Sequence, residues 1–331
     1  MKSPILIVGS RFRSIRDCAT VFGVWEKPSG KSRLKVMVTD QPAGTSPTLG
    51  AILLSRSEKI PASEFSRNDL CRLFDQLEAK VQEEANNRIL DLVKPFDTSD
   101  ADFNSFKQSV RDAYKLSVAL RSKDGETFAG TARNVIESVP SDTKISTIDL
   151  DCFSTFQARF NVVPKNWFRV HLDFTKPPIF DFTNPVSQPT PNASVFEIVG
   201  EDDTWVRAVY DQLHTFFFSK KKGRNWLHAR NIYDLFLLIA VIPIIIFILL
   251  NLSKVNQARF LDTPFLLDVA VIAYAFLLLV TAYRFSFAYT KWIFPLLELS
   301  DIGPRVSRGH RNFWYLLVTG ILAGVIGGLF I

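Results

Sequence analysis

Ile232 to Leu252 reads IYDLFLLIAVIPIIIFILLNL, with Asp234 as its one charged residue. Two further runs follow: FLLDVAVIAYAFLLLVTAY over Phe265–Tyr283 and FWYLLVTGILAGVIGGLFI over Phe313–Ile331. Each is about 20 residues long, enough to cross roughly 30 Å of hydrocarbon at a helical rise of about 1.5 Å per residue. The core helix of a soluble domain seldom stays apolar on every face for that length. The C-terminal third, residues 231–331, therefore reads as an all-α transmembrane region with spans at about 232–252, 265–283 and 313–331. Pro243 predicts a kink in the first span.

Charge is distributed to match. Residues 220–331 carry twelve Lys/Arg against five Asp/Glu, whereas residues 1–219 carry 27 against 28, so the net +6 belongs to the membrane flanks. That placement argues against a nucleic-acid partner, which would need a basic face on the soluble domain. Ten basic residues flank the start of the first span or lie between the second and third. The loop between the first two holds only Lys254 and Arg259. By the positive-inside rule the N-terminal region is cytoplasmic and, with three spans, the C-terminus is outside. The opening MKSPILIVGSRFR has too short an apolar core for a signal peptide. A bacterial inner membrane fits these features. Cys18, Cys71 and Cys152 are odd in number and widely spaced, as in a reducing compartment, and with four scattered histidines they imply no metal site.

The preceding 200 residues read as an α+β cytosolic domain, an antiparallel sheet with a long amphipathic helix. Strands are expected at Ile5–Val8, Val21–Glu26 and Leu34–Thr39. Leu70, Leu73, Leu77, Val81, Ile89 and Val93 recur at helical spacing, with Ser66 and Asp69 as an N-terminal cap and Pro95 as the stop. A shorter helix follows at Asp102–Ala113. From Tyr114 the period drops to two, and strands are expected there and at Ile145–Cys152, Phe156–Val162, Trp167–Phe174 and Phe196–Gly200. A short helix is expected at Thr131–Val139, and five prolines between Lys176 and Asn192 make an extended strap. Residues 201–230 form a juxtamembrane coupling helix and basic cluster.

Four sets of residues stand out. Phe216–Phe218, Lys220, Lys221, Lys222, Arg224, Trp226 and Arg230 combine aromatics and cations suited to an anionic leaflet, where each cation contributes about 1 kcal/mol. Gly320, Gly324 and Gly328 form a small-residue stripe for helix packing. Asp268 is an ionisable residue inside the second span. Arg11, Arg13 and Arg16 are a candidate anion-binding turn after the first strand. No nucleotide, hydrolase or metalloprotease motif is present, and no cofactor is implied. The sequence thus favours a non-enzymatic, membrane-anchored sensor or interaction protein acting through its spans, such as a stress or defence effector. Its partners would be the lipid bilayer and a second copy or another membrane protein. An oligomeric channel or transporter component, or a membrane-bound enzyme acting on lipid or nucleotide, are the rival classes.

Overall fold

A computed structural model of the 331-residue chain describes residues 53–96, 99–179, 187–259, 265–301, 309–316 and 319–320. The first half runs β1 (Leu54–Lys59), β2 (Ser63–Phe65), α1 (Arg67–Leu90), α2 (Asp100–Ala113), β3 (Ser117–Ser122), β4 (Thr127–Gly130), α3 (Asn134–Ser138) and β5 (Ile145–Asp151). It continues through α4 (Ser154–Phe160), β6 (Trp167–Asp173), β7 (Val195–Gly200) and α5 (Asp203–Ser219). A 3-10 turn (Gly223–His228) then leads to α6 (Ile232–Phe236), a π-helical segment (Leu237–Val241), α7 (Ile242–Arg259), α8 (Phe265–Ile293) and β8 (Leu297–Leu299). The strands expected before residue 40 lie outside the described residues, as do Arg11, Arg13 and Arg16.

Helix α1 begins as the sequence expects. The Ser66 hydroxyl accepts from the Asp69 N–H at 3.1 Å, and the Asp69 carboxylate accepts from the Ser66 N–H at 2.9 Å, a reciprocal capping box. The helix buries Leu70, Leu73, Phe74, Leu77 and Val81 on one face. Opposite lies a six-stranded sheet in the order β1-β7-β6-β5-β3-β4, antiparallel throughout. Alternation puts Val118, Leu120, Ile148, Leu150, Phe168, Val170, Leu172, Phe196 and Ile198 on the covered face, in one core with α1 and α5. The register sets Leu150 beside Val170, and Val170 beside Phe196. The other face is polar: Asp149 lies across from His171, and Arg169 across from Glu197. Such a sheet, covered on one side and wet on the other, is what alternating antiparallel strands produce.

One expected strand is a helix. Residues 154–160 wind into α4 instead of extending over Phe156–Val162. The Asp151 carboxylate accepts from the Ser154 N–H at 2.9 Å, and the Phe156 and Phe160 rings, one turn apart, meet at a tilt with centroids 4.9 Å apart and pack against Tyr114 and Phe106 respectively. Asn161 then ends the helix with a left-handed φ of 55°. The local alternation of Phe156, Ala158, Phe160 and Val162 is overruled by this packing. The helix expected at Thr131–Val139 shortens to α3.

Two helices late in the chain are long and apolar enough to cross a membrane, over Ile232–Asn251 and Val269–Ile293. The first is uneven where expected: the π segment ends two residues before Pro243. A proline cannot donate the helical hydrogen bond and crowds the preceding turn, which a widened turn relieves. Of the third expected span, residues 313–316 and 319–320 are helical, in a helix that begins at residue 309, and the remainder lies outside the described residues, with Gly324 and Gly328. Three spans are therefore an expectation that the described residues reach only in part. A Cβ on Gly320 would meet open space.

Candidate functional site

The chain after α8 returns to the sheet domain. Strand β8 pairs in parallel with β2, Ser63 beside Leu297, Glu64 beside Glu298 and Phe65 beside Leu299. Backbone bonds extend the pairing at both ends, Ser63 N–H to Leu296 C=O at 2.9 Å and Ser300 N–H to Phe65 C=O at 2.8 Å. The apolar hairpin of α7 and α8 is consequently tied to the domain at its entry, through α5 and the basic segment, and at its exit, through β8.

Two carboxylates side by side on adjacent strands would repel each other, and the basic segment supplies their counter-charges. Alternate residues each take a carboxylate: Lys220 pairs with Asp69 at 2.7 Å, Lys222 with Glu64 at 3.3 Å, and Arg224 with Glu298 at 3.2 Å. Arg311, at the start of the last described helix, clamps Glu298 from the other side. The Nε atoms of Arg224 and Arg311 are buried without a hydrogen-bond partner among the described residues, so Glu298 is the anion that holds both guanidiniums in place. Burial alone would raise the Asp69 carboxyl pKa. The Lys220 ammonium and the Ser66 donors outweigh it and hold the group below its usual range. Backbone contacts complete the seam, with Lys222 N–H donating to Ala62 C=O at 2.8 Å and Ala62 N–H to Asn225 Oδ1 at 3.3 Å.

His228 lies buried at the same junction. Its Nε2 is 2.7 Å from the Phe294 carbonyl, which can only accept, so Nε2 carries the proton and Nδ1 accepts from the Thr190 hydroxyl at 2.9 Å. Burial pushes its pKa down to about 4 against the pull of that carbonyl, and the charges of Lys291 and Arg224 add to the depression. Lys291 is buried and donates to the Gln188 carbonyl at 3.2 Å. Thus residues 187–190, the 3-10 turn and the end of α8 are stitched together by polar groups. Lys176 stands over the Trp292 ring at 4.4 Å, and burial lowers its ammonium pKa, with Glu298 opposing that shift.

The residues singled out from sequence divide. Lys220, Lys222 and Arg224 are brought together, on carboxylates of the chain itself. Lys221 and Arg230 are exposed, and Trp226, half exposed, stacks on Phe236 at 6.0 Å. Asp268 lies in the first turn of α8. Sequence reasoning did not reach Glu298, Glu64, Lys176 or His228. The basic run itself was legible, but with Lys221 inside it no alternation singled out Lys220, Lys222 and Arg224.

Elsewhere, an open hollow of about 390 Å³ is lined by Arg67, Cys71, Arg133, Glu137 and Asp301. Its cations are taken: Arg67 donates to the Glu137 and Val139 carbonyls, and Arg133 pairs with Asp75 and Glu137. Cys152 accepts from the Phe168 N–H in the core, where burial pushes its thiol up to about 12. Among the described residues no group of three His, Cys, Asp or Glu is placed to hold a metal ion. In comparison with known proteins, no family model, no curated protein and no solved structure matches the chain.

Proposed function

We propose that the chain is a membrane-anchored sensor or interaction protein whose cytoplasmic sheet domain acts on its membrane spans through the β2–β8 junction. The observation that carries this is the double attachment: the entry of the α7–α8 hairpin is ion-paired to the domain, its exit is hydrogen-bonded to β2, and the Arg224–Glu298 pair ties the two ends together. A flexible tether would only anchor. A two-point attachment transmits a change in the domain to the hairpin, because displacing β2 displaces β8 and the end of α8 with it. The orientation rests on the basic residues at the domain-side ends of the spans, and a bacterial inner membrane and self-association complete the reading. Within it, the protein is an effector whose spans alter the membrane when the domain changes state.

The test is to open the junction. Glu298→Arg would set three guanidiniums against one another and separate β8 from β2. The full-length variant is reconstituted in liposomes loaded with a self-quenched dye, beside the wild type. Opening is verified by faster thiol labelling at Ser300→Cys, and folding of the sheet by circular dichroism. Dye release should change severalfold. Unaltered release with the junction demonstrably open would refute coupling.

A further inference from the structure

Lys220 and Lys222 face carboxylates of the domain, which leaves Lys221 as the exposed lysine of the run and room for a further leaflet contact elsewhere at the junction. We propose that the notch formed by Lys176, Trp292, His310 and Arg311 binds the phosphate of an anionic phospholipid headgroup. The inference rests on the membrane location proposed above and adds a ligand class to it.

The geometry is that of a half-open aromatic and cationic corner. The Lys176 ammonium stands 4.4 Å from the centre of the Trp292 ring. The His310 ring meets Trp292 edge-on at 5.6 Å, and its Nδ1 lies 2.6 Å from the Tyr289 hydroxyl. Trp314 closes against Tyr289 at 5.9 Å, and the Arg311 guanidinium stands over Phe294 at 5.8 Å. Lys176, Tyr289, Trp292, His310, Arg311 and Trp314 are all partly exposed, so a headgroup can reach them.

Charge also favours an anion. Lys176, Arg224 and Arg311 all act on Glu298, and Arg224 acts on Glu64 as well, which Lys222 already pairs. Among the described residues the corner therefore carries a positive surplus, and partial burial weakens the hydration that would otherwise satisfy it. A phosphate supplies acceptors for an ammonium and a guanidinium together. The surroundings select a lipid over a soluble phosphate. Trp292 and Tyr289 lie at the end of the apolar α8, and Trp314 lies on a helix that exposes Phe313, Tyr315 and Leu316 beside the corner. Tryptophan and tyrosine favour headgroup depth, and basic pockets beside spans recognise anionic headgroups.

The experiment uses the full-length protein in zwitterionic detergent, titrated with short-chain phosphatidylglycerol and separately with phosphatidylcholine, read by tryptophan fluorescence. Phosphatidylglycerol should bind in preference. Lys176→Gln should weaken it about fivefold, the change that one cation near an anionic surface carries, while leaving melting without added lipid unchanged. Lys176→Arg should restore it. Equal binding of the two lipids, or binding indifferent to Lys176→Gln, would overturn the proposal. Displacement of the lipid by inorganic phosphate at equal concentration would also overturn it, since the site would then take the free anion. A chain that stayed monodisperse without detergent would instead defeat the membrane reading itself.

Discussion

The sheet domain and the α6–α8 hairpin use the same apolar residues in opposite directions. In the domain, Phe65, Phe74, Phe168, Phe196 and Phe217 are wholly buried. Along the hairpin, Ile239, Phe247 and Tyr274 are 67%, 68% and 70% exposed. The domain is ordered by excluding water, which makes every core contact contribute to its stability. Helices with outward apolar faces need another solvent, and in lipid they gain nothing by burying those faces against each other. At the boundary between the two regions the links are mixed: Leu297 and Leu299 of β8 pack with the domain core, and hydrogen bonds and ion pairs, from Asp69–Lys220 to Glu298–Arg311, surround them.

The contrast is tested first by removing one ring from each region. Phe196 lies on the covered face of β7 with Tyr210 and Phe217 both 5.8 Å away. Phe196→Ala should destabilise the domain by about 3–5 kcal/mol, the usual cost of deleting a buried aromatic. Phe247→Ala removes the same atoms from the outward face of α7 and should cost the domain less than about 0.5 kcal/mol. Chemical denaturation of the full chain in detergent, followed by near-ultraviolet circular dichroism, separates the two. Equal losses would mean that α7 packs as part of a core.

How much could be read in advance follows the same division. Helix α1 was legible because Leu70, Leu73, Leu77 and Val81 keep one period and Ser66–Asp69 announces the start. Strands β3, β5, β6 and β7 alternate, as strands with one covered face must. Strand β1, LSRSEK, is an edge strand with little apolar side chain, so its only signal is its hydrogen bonding to β7. Strand β8 is three residues, Leu-Glu-Leu, too short for any period. Its place depends on Arg224, 74 residues earlier, and on Ser63, further still. The junction was therefore half visible. The cations stood out as a cluster, but their carboxylates are scattered through the chain at Glu64, Asp69 and Glu298, and only the fold collects them.

A middle-sized effect should come from acid. His228 is neutral in the fold with a pKa of about 4, and about 6.5 when unfolded. Its stabilising contribution is complete above pH 6.5, because neither state is then protonated there. As pH falls toward 4 the unfolded chain takes up the proton first, and junction stability declines by on the order of 1–3 kcal/mol. Below 4 both states are protonated and the loss levels off. The Asp69 carboxylate, held below its usual range, adds its own loss only as pH falls into and below the usual carboxylate range, so the slope above that range belongs to His228. His228→Gln, which retains a donor for the Phe294 carbonyl, should flatten the pH dependence of labelling at Ser300→Cys. A slope unchanged in that variant would place the titration elsewhere.

The smallest effect divides the lysine run itself. Lys220 and Lys222 make partly exposed pairs with Asp69 and Glu64, of the kind that contribute about 0.2–1 kcal/mol. Lys221 points to solvent between them. Lys220→Gln and Lys222→Gln should each lower the domain's stability by that amount, and Lys221→Gln should leave it unchanged. The Lys220 loss should shrink at high salt, since screening at 1 M reaches within about 3 Å. A double-mutant cycle of Lys220→Gln with Asp69→Asn isolates the pair from the helix cap, because Asn at position 69 can still accept from the Ser66 N–H. Liposome binding should respond in the opposite order, with Lys221→Gln weakening attachment to anionic vesicles more than either neighbour. If the cycle showed no coupling and all three lysines weakened vesicle binding equally, the run would be a leaflet contact alone. The β2–β8 seam would then rest on Glu298 and its two arginines.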